Sequence, residues 1–146
     1  MKPEELHAIA SELGLQFDED SRSIYGTQSG YLLFLQETDV KNQFRLCVSV
    51  SLNGNPVDSE ENELVWDEFK SESLPNLSTL SINQYLVSFV VKGAMRKSKT
   101  IEKLQTLITD LVAFLETHHF VQVCAYSGQE GPVGLYQLGD SIFLIN

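Results

Sequence analysis

The chain has 146 residues, 42% hydrophobic and 21% charged, with ten Lys+Arg against twenty Asp+Glu and a formal charge of −10. This is the composition of one globular domain, residues 1–146, long enough to bury roughly two-thirds of its unfolded surface without disulfide or metal. It excludes collagen, a disulfide scaffold and bulk disorder, and apolar runs of five residues fall well short of the about twenty needed for a membrane helix.

Leu6, Ile9, Ala10 and Leu13 recur at helical spacing between Pro3 and Gly14, which predicts a short amphipathic helix with its start and stop residues in place. A polar connection after Phe17 leads to Ile24 and Tyr25, and Ser29-Gly30 supplies the positive φ of a hairpin turn. Tyr31 to Leu35 is apolar on both faces and reads as a central strand. Phe44, Leu46, Val48, Val50 and Leu52 alternate with Arg45, Cys47, Ser49 and Ser51, predicting one buried and one polar face. Residues 53–80 read as a long acidic excursion, with seven acids and one Lys between Asp58 and Glu72. Val65 and Phe69 share a helical face there, so a helical turn is expected. The period of two returns from Gln84 through Val91. The stripe Ile101, Leu104, Ile108, Leu111 and Leu115 predicts the main helix over 99–118. Phe120 to Tyr126, Leu135 to Leu138 and Ile142 to Ile145 read as short strands of a C-terminal hairpin region, 120–145.

The expected fold is therefore α+β, a single largely antiparallel sheet with two main helices packed on one face, in the order α-β-β-β-(loop)-β-α-β-β.

Lys92, Arg96, Lys97, Lys99 and Lys103 are half of all basic residues; with Glu102 their stretch carries +4 and the remainder −14. A phosphate backbone would be repelled by most of such a surface, so no nucleic-acid partner is expected. Gly93 to Thr100 departs from the phosphate-loop pattern G-x-x-x-x-G-K-[ST] at one position, where Ser98 stands for the second Gly. The plainer reading is a basic turn with Ser98 or Thr100 capping the helix; nucleotide binding at 93–100 is the remote alternative. Cys124-Ala-Tyr-Ser-Gly128 has the form of half a zinc knuckle that has lost its second Cys. One Cys cannot make a structural zinc site, so no metal or cofactor is expected and Cys124 is at most a remnant. His118-His119 suit a helix C-terminus, where the macrodipole favours an imidazolium, and His7 reads as a surface residue. No nucleophile motif or zinc-protease motif is present, so the chain is expected to be no enzyme. The opening Met-Lys-Pro-Glu-Glu lacks the character of a signal peptide, and Cys47 and Cys124 are expected as free thiols in a reducing cytoplasm.

The stretch Glu12-Leu-Gly-Leu-Gln-Phe-Asp-Glu-Asp20 after the first helix is followed at suitable distances by the strands at 31–35 and 44–52. With the order helix, three antiparallel strands, excursion, strand, helix, this resembles the bacterial type III secretion chaperone family over about residues 3–118. The resemblance implies a small acidic cytosolic protein that binds a protein partner, with room for a homodimer. The family typically closes on its last helix, whereas here the hairpin region 120–145 follows. The leading expectation is a non-enzymatic cytoplasmic protein-binding domain, engaging its partner across an open sheet face or along an edge strand. Trp66 and Phe69 are the interface candidates, with core pegs as their other reading. A second expectation is the soluble domain of a larger membrane-associated or multidomain protein, with a decayed knuckle at 124–128.

Overall fold

In the computed structural model, which describes residues 1–73, 77–83, 85–93, 95–122, 134–138 and 141–145, the N-terminal stripe folds as helix α1 (Pro3–Leu13) and buries Leu6, Ile9, Ala10 and Leu13. Pro3 is tolerated in the first turn because its missing N–H would have found no intrahelical partner. Gly14 ends the helix at φ 71°, a left-handed conformation that a Cβ resists. Gln28 and Gln105 donate their side-chain amides to the carbonyls of Leu13 and Glu12, each at 3.1 Å, so the last turn of α1 is held from two sides.

The chain continues as β1 (Gln16–Asp18), β2 (Ser23–Gln28), β3 (Tyr31–Glu37), β4 (Gln43–Ser51), α2 (Glu60–Ser73), β5 (Leu77–Asn83), β6 (Leu86–Lys92), α3 (Lys97–Thr117), β7 (Val121–Gln122), β8 (Gly134–Leu138) and β9 (Ser141–Ile145). The main sheet runs β1-β2-β3-β4-β6-β5, every pair antiparallel, with β7 added on β4 and β8-β9 as a separate hairpin. This is the α+β class the periodicities predict. The β2–β3 hairpin turns at Ser29 and Gly30, with φ of 51° and 85°, the two positive values that a tight turn matching the strand twist requires.

One core joins the sheet to all three helices. Tyr31, Leu33 and Leu35 of β3, Phe44, Leu46, Val48 and Val50 of β4, and Val87, Phe89 and Val91 of β6 meet Leu6 and Ile9 of α1, Trp66 and Phe69 of α2, and Leu104, Leu111 and Leu115 of α3. The other face of the sheet is buried over its centre as well, where Leu32, Phe34 and Cys47 form a second cluster edged by Tyr25 and Leu86.

Near their ends β3 and β4 part. Their pairing stops at Leu33 opposite Val48, and beyond it β7 takes the place of β3, setting Gln122 against Val50 and Val121 against Ser51. The gap is bridged by side chains. Tyr31 Oη donates to the Phe120 carbonyl at 2.6 Å, and the Leu32 amide donates to Gln122 Oε1 at 2.8 Å. Burial of the Tyr31 phenol, with the Glu116 carboxylate as a lesser influence, raises its pKa.

Four details differ from the sequence reading. The connection after Phe17 begins with a strand, since Phe17 pairs with Ile24 across β1 and β2, and the Asp18 carboxylate closes the turn by accepting from the Ser21 amide and hydroxyl. The excursion contains a full helix, α2, in place of one turn. Its last residues already form β5, whose register on β6 shifts between Leu77 and Thr79; that bulge breaks the period of two on which a strand is recognised. In β4 the alternation does not leave a polar exposed face, because Cys47, Ser49 and Ser51 are buried along with Phe44, Leu46, Val48 and Val50. Strand β4 carries neighbours along both edges and is covered on both faces.

Replacing Tyr31 by Phe removes the donor from the Phe120 carbonyl and should lower stability by about 1–2 kcal/mol. The measurement is the urea midpoint at constant slope; a wild-type midpoint would mean that this bond does not hold β7.

Candidate functional site

On α2 the residues Asn62, Trp66 and Phe69 lie on the inner side of one helix, and all three are buried. Asn62 Nδ2 donates to the Pro56 carbonyl at 2.9 Å and fixes the start of the helix. The Trp66 ring lies 5.0 Å from Phe114, 5.2 Å from Phe120 and 5.9 Å from Phe69 between centroids, and Phe69 lies 4.7 Å from Phe114. Offset and edge contacts at these spacings add to the large area that each ring buries. Trp66 and Phe69 retain only 1% and 2% of their exposure. The expectation that they form a partner-binding surface is therefore corrected: in this arrangement both are core pegs, because α2 needs apolar residues to anchor it and these are its largest. Among the described residues the Trp66 indole N–H has no hydrogen-bond partner, so packing alone accounts for its position.

The outer side of α2 is its chemical opposite. Glu60, Glu63, Asp67 and Glu68 are exposed there, and Leu64 protrudes among them with 74% of its surface accessible.

The basic patch is gathered at one end of the sheet. Lys92 closes β6 opposite Gln43 of β4, Arg96 precedes α3, and Lys97, Lys99 and Lys103 stand in its opening turns. Lys103 Nζ donates to the Lys92 carbonyl at 3.5 Å. The register also brings in Lys41 from the β3–β4 turn, because the neighbouring Asn42 carbonyl accepts from the Gly93 amide at 2.5 Å. Lys41 was not legible as part of the patch, since nothing in the sequence joins it to Lys92 until the strands are aligned.

Gly93 owes its place to that crossing. A Cβ there would stand 2.6 Å from the Asn42 carbonyl oxygen and 3.1 Å from Thr100 Oγ1. The expected side-chain cap from Ser98 or Thr100 is corrected: Arg96 is the N-cap, with no side-chain cap hydrogen bond, and the buried Thr100 hydroxyl donates back to the Arg96 carbonyl at 3.3 Å. A threonine one turn into the helix reaches the preceding carbonyl more readily than a free amide. The strand leading into the loop is antiparallel to both its neighbours.

His118 caps the C-terminus of α3, its ring tilted at 52° to that of Phe114 with centroids 4.5 Å apart, and His119 follows it with a positive φ of 61°. His7 is exposed and meets the edge of Phe17. A recess of about 390 Å³ beside the β3–β4 turn is lined by Met1, Glu5, Glu37, Asp39, Val40 and Lys41. Its Glu37 carboxylate is engaged by the Met1 amine at 3.3 Å and by Arg22 at 3.4 Å. Cys47 is a free cysteine, with Sγ 3.4 Å from Ser88 Oγ. Burial pushes its thiol up to about 11, the Ser88 hydrogen bond and Arg45 pulling weakly the other way. Cys124 to Gly128, the half-knuckle, lies outside the described residues. Among the described residues no three His, Cys, Asp or Glu side chains are grouped to hold a metal ion, and no helix is long and apolar enough to cross a membrane.

Comparison with known proteins finds no matching family model, no matching curated protein and no matching solved structure.

Two outcomes follow from the buried groups. Trp66→Ala should destabilise by about 3–5 kcal/mol, and a melting temperature within a degree or so of wild type would return Trp66 to the surface. The Cys47 thiol has its pKa raised from 9.0 to about 11 on folding, so between those values the unfolded chain loses the proton first and stability falls as pH rises. Denaturation midpoints of wild type and Cys47→Ala from pH 8 to 11 measure this; parallel curves would show that the thiol titrates normally.

Proposed function

We propose that this domain is a non-enzymatic, chaperone-like interaction module that acts by holding another protein, and that β5 is the strand that receives it. The observation that carries the proposal is the position of β5. It ends the main sheet and, among the described residues, pairs only with β6, so its outer edge presents backbone donors and acceptors that an extended segment could satisfy. The bulge between Leu77 and Thr79 twists the start of the edge away, which leaves Leu80 to Asn83 as the receiving stretch.

The order of α1, the short β1, three antiparallel strands β2 to β4, an excursion holding α2 and β5, the strand β6 and the long α3 supports the chaperone-like form of the proposal, since apart from β1 and the contents of the excursion it is the order on which the resemblance to the secretion chaperones rests. The unpaired Cys47 supports a reducing, cytoplasmic setting, and the acidic balance of the chain supports a protein in preference to a nucleic-acid partner.

A photo-cross-linking residue placed at exposed Ser81 of β5, with Glu12 of α1 as control, tests this in the native host. A discrete cross-linked protein at Ser81 and not at Glu12 is expected. Equal yields from the two positions would remove β5 as the receiving edge.

A further inference from the structure

The basic end of the sheet is expensive to fold. Arg96, Lys97 and Lys99 crowd like charges at the N-terminus of α3, where the helix macrodipole opposes cations, and no acid stands in the first turn to offset them. Lys41, Lys92 and Lys103 approach from the β3–β4 turn, the end of β6 and the next turn of α3. Six of the ten basic residues thus share one end of the molecule. Of these six, only Lys99 has a carboxylate within 4.0 Å among the described residues, that of Glu102 at 3.3 Å. Two of the large apolar side chains left on the surface, Met95 at 100% exposure and Val40 at 53%, adjoin these cations along the chain, Met95 beside Arg96 and Val40 beside Lys41.

Folding has no use for this arrangement. The core contacts of α3 come from Thr100 and Ile101 onward, and an acid or a Ser cap before Lys97 would be more stable. A feature that breaks local rules without a structural return is a place to look for function.

We infer that the basic end is a docking surface for a short acidic segment of a partner protein, one whose carboxylates meet Arg96, Lys97 and Lys99 while its apolar side chains cover Met95 and Val40. The inference rests on the reading of the chain as a protein binder, though not on β5 as the receiving edge. A short segment fits better than a long polyanion. The six cations with Asp39 and Glu102 carry +4 and the rest of the chain −14, with Glu5 and Glu37 lining the recess beside Val40 and Lys41, so a phosphate backbone or an anionic bilayer extending beyond the patch would be repelled by what surrounds it. The two apolar tips also offer a hold that phosphates cannot use.

The full-length protein is titrated into a fluorescein-labelled synthetic peptide of repeated Glu-Glu-Leu-Leu, with Gln-Gln-Leu-Leu as control. Binding that weakens with added salt is expected, at least about tenfold tighter than to the control. The variant Arg96→Glu/Lys97→Glu/Lys99→Glu should bind the acidic peptide at least about tenfold more weakly while melting at or above the wild-type temperature, since acids suit that helix end. Met95→Ser should weaken binding with no change in melting. Equal affinity for the two peptides, or undiminished binding by the triple variant, would overturn the inference. Tighter binding to duplex DNA or to phosphatidylserine vesicles would overturn it in favour of a phosphate-bearing ligand. Specific cross-linking from Ser81 in a protein that ignores the acidic peptide would leave the protein-binding reading standing and remove this surface alone.

Discussion

From Tyr31 to Leu35 and from Leu46 to Ser51, strands β3 and β4 are apolar or small on both faces, and a sheet built around them is stable only if both faces are kept from water. Leu33, Leu35, Phe44, Leu46 and Val48 point to the helices, while Phe34 and Cys47, on the opposite face, have no exposure either. Each such large side chain is worth about 1.5–3 kcal/mol when buried, so leaving one face open would forfeit more than any exposed ion pair could return, since those contribute about 0–1 kcal/mol. The helices answer the demand on one face. The chain after α3 turns at His119, enters the gap between β3 and β4 as β7, where it extends the sheet along the edge of β4, and is tied there through Tyr31 and Gln122.

The same constraint explains what could be seen in advance. Tyr31 to Leu35 lacks a polar face, and that is visible in the sequence as a central strand; α1 and α3 announce themselves because each has one apolar stripe with its partner on one side only. β4 misled for the complementary reason. Its Ser49 and Ser51 look like a solvent face, yet short hydroxyl side chains can be buried when hydrogen-bonded, and alternation by polarity cannot tell a wet serine from a dry one. β5 was hidden by a bulge that shifts its pattern by one residue. α2 was hidden by its acids, because the few residues that anchor it, Asn62, Trp66 and Phe69, are sparse in number and large in area. Of the candidate site, the cations of α3 were legible as a run, whereas Lys41 and Val40 join them only through the pairing of Gln43 with Lys92.

Helix α2 shows how little of the surface chemistry is needed for folding. Its inner side meets Phe89, Phe114 and Phe120 through two aromatic rings, and that contact persists whatever charges stand outside. The outer acids Glu63, Asp67 and Glu68 and the protruding Leu64 are then free to answer to solubility or to a neighbour. A net charge far from zero keeps a protein dispersed at the cost of mild self-repulsion, and an aromatic-anchored helix can bear that cost.

At the basic end the balance is different. Acids on α2 stand along the side of a helix, where the macrodipole is weak, whereas the cations of α3 stand at its positive end, where the penalty is largest and falls off within a turn. Moving Arg96, Lys97 and Lys99 a few residues toward the C-terminus would relieve it, and the exposed positions Thr106, Thr109 and Ala113 could accept them without touching the core. Gly93 shows that the loop is nevertheless built to close tolerances, since no Cβ fits between Asn42 and Thr100. The crossing of the β3–β4 turn with the start of α3 thus fixes where the cations stand relative to Lys41 and Val40. A cluster placed by a close backbone crossing, set at the unfavourable end of a helix and exposing two apolar tips is the basis of the docking surface proposed above.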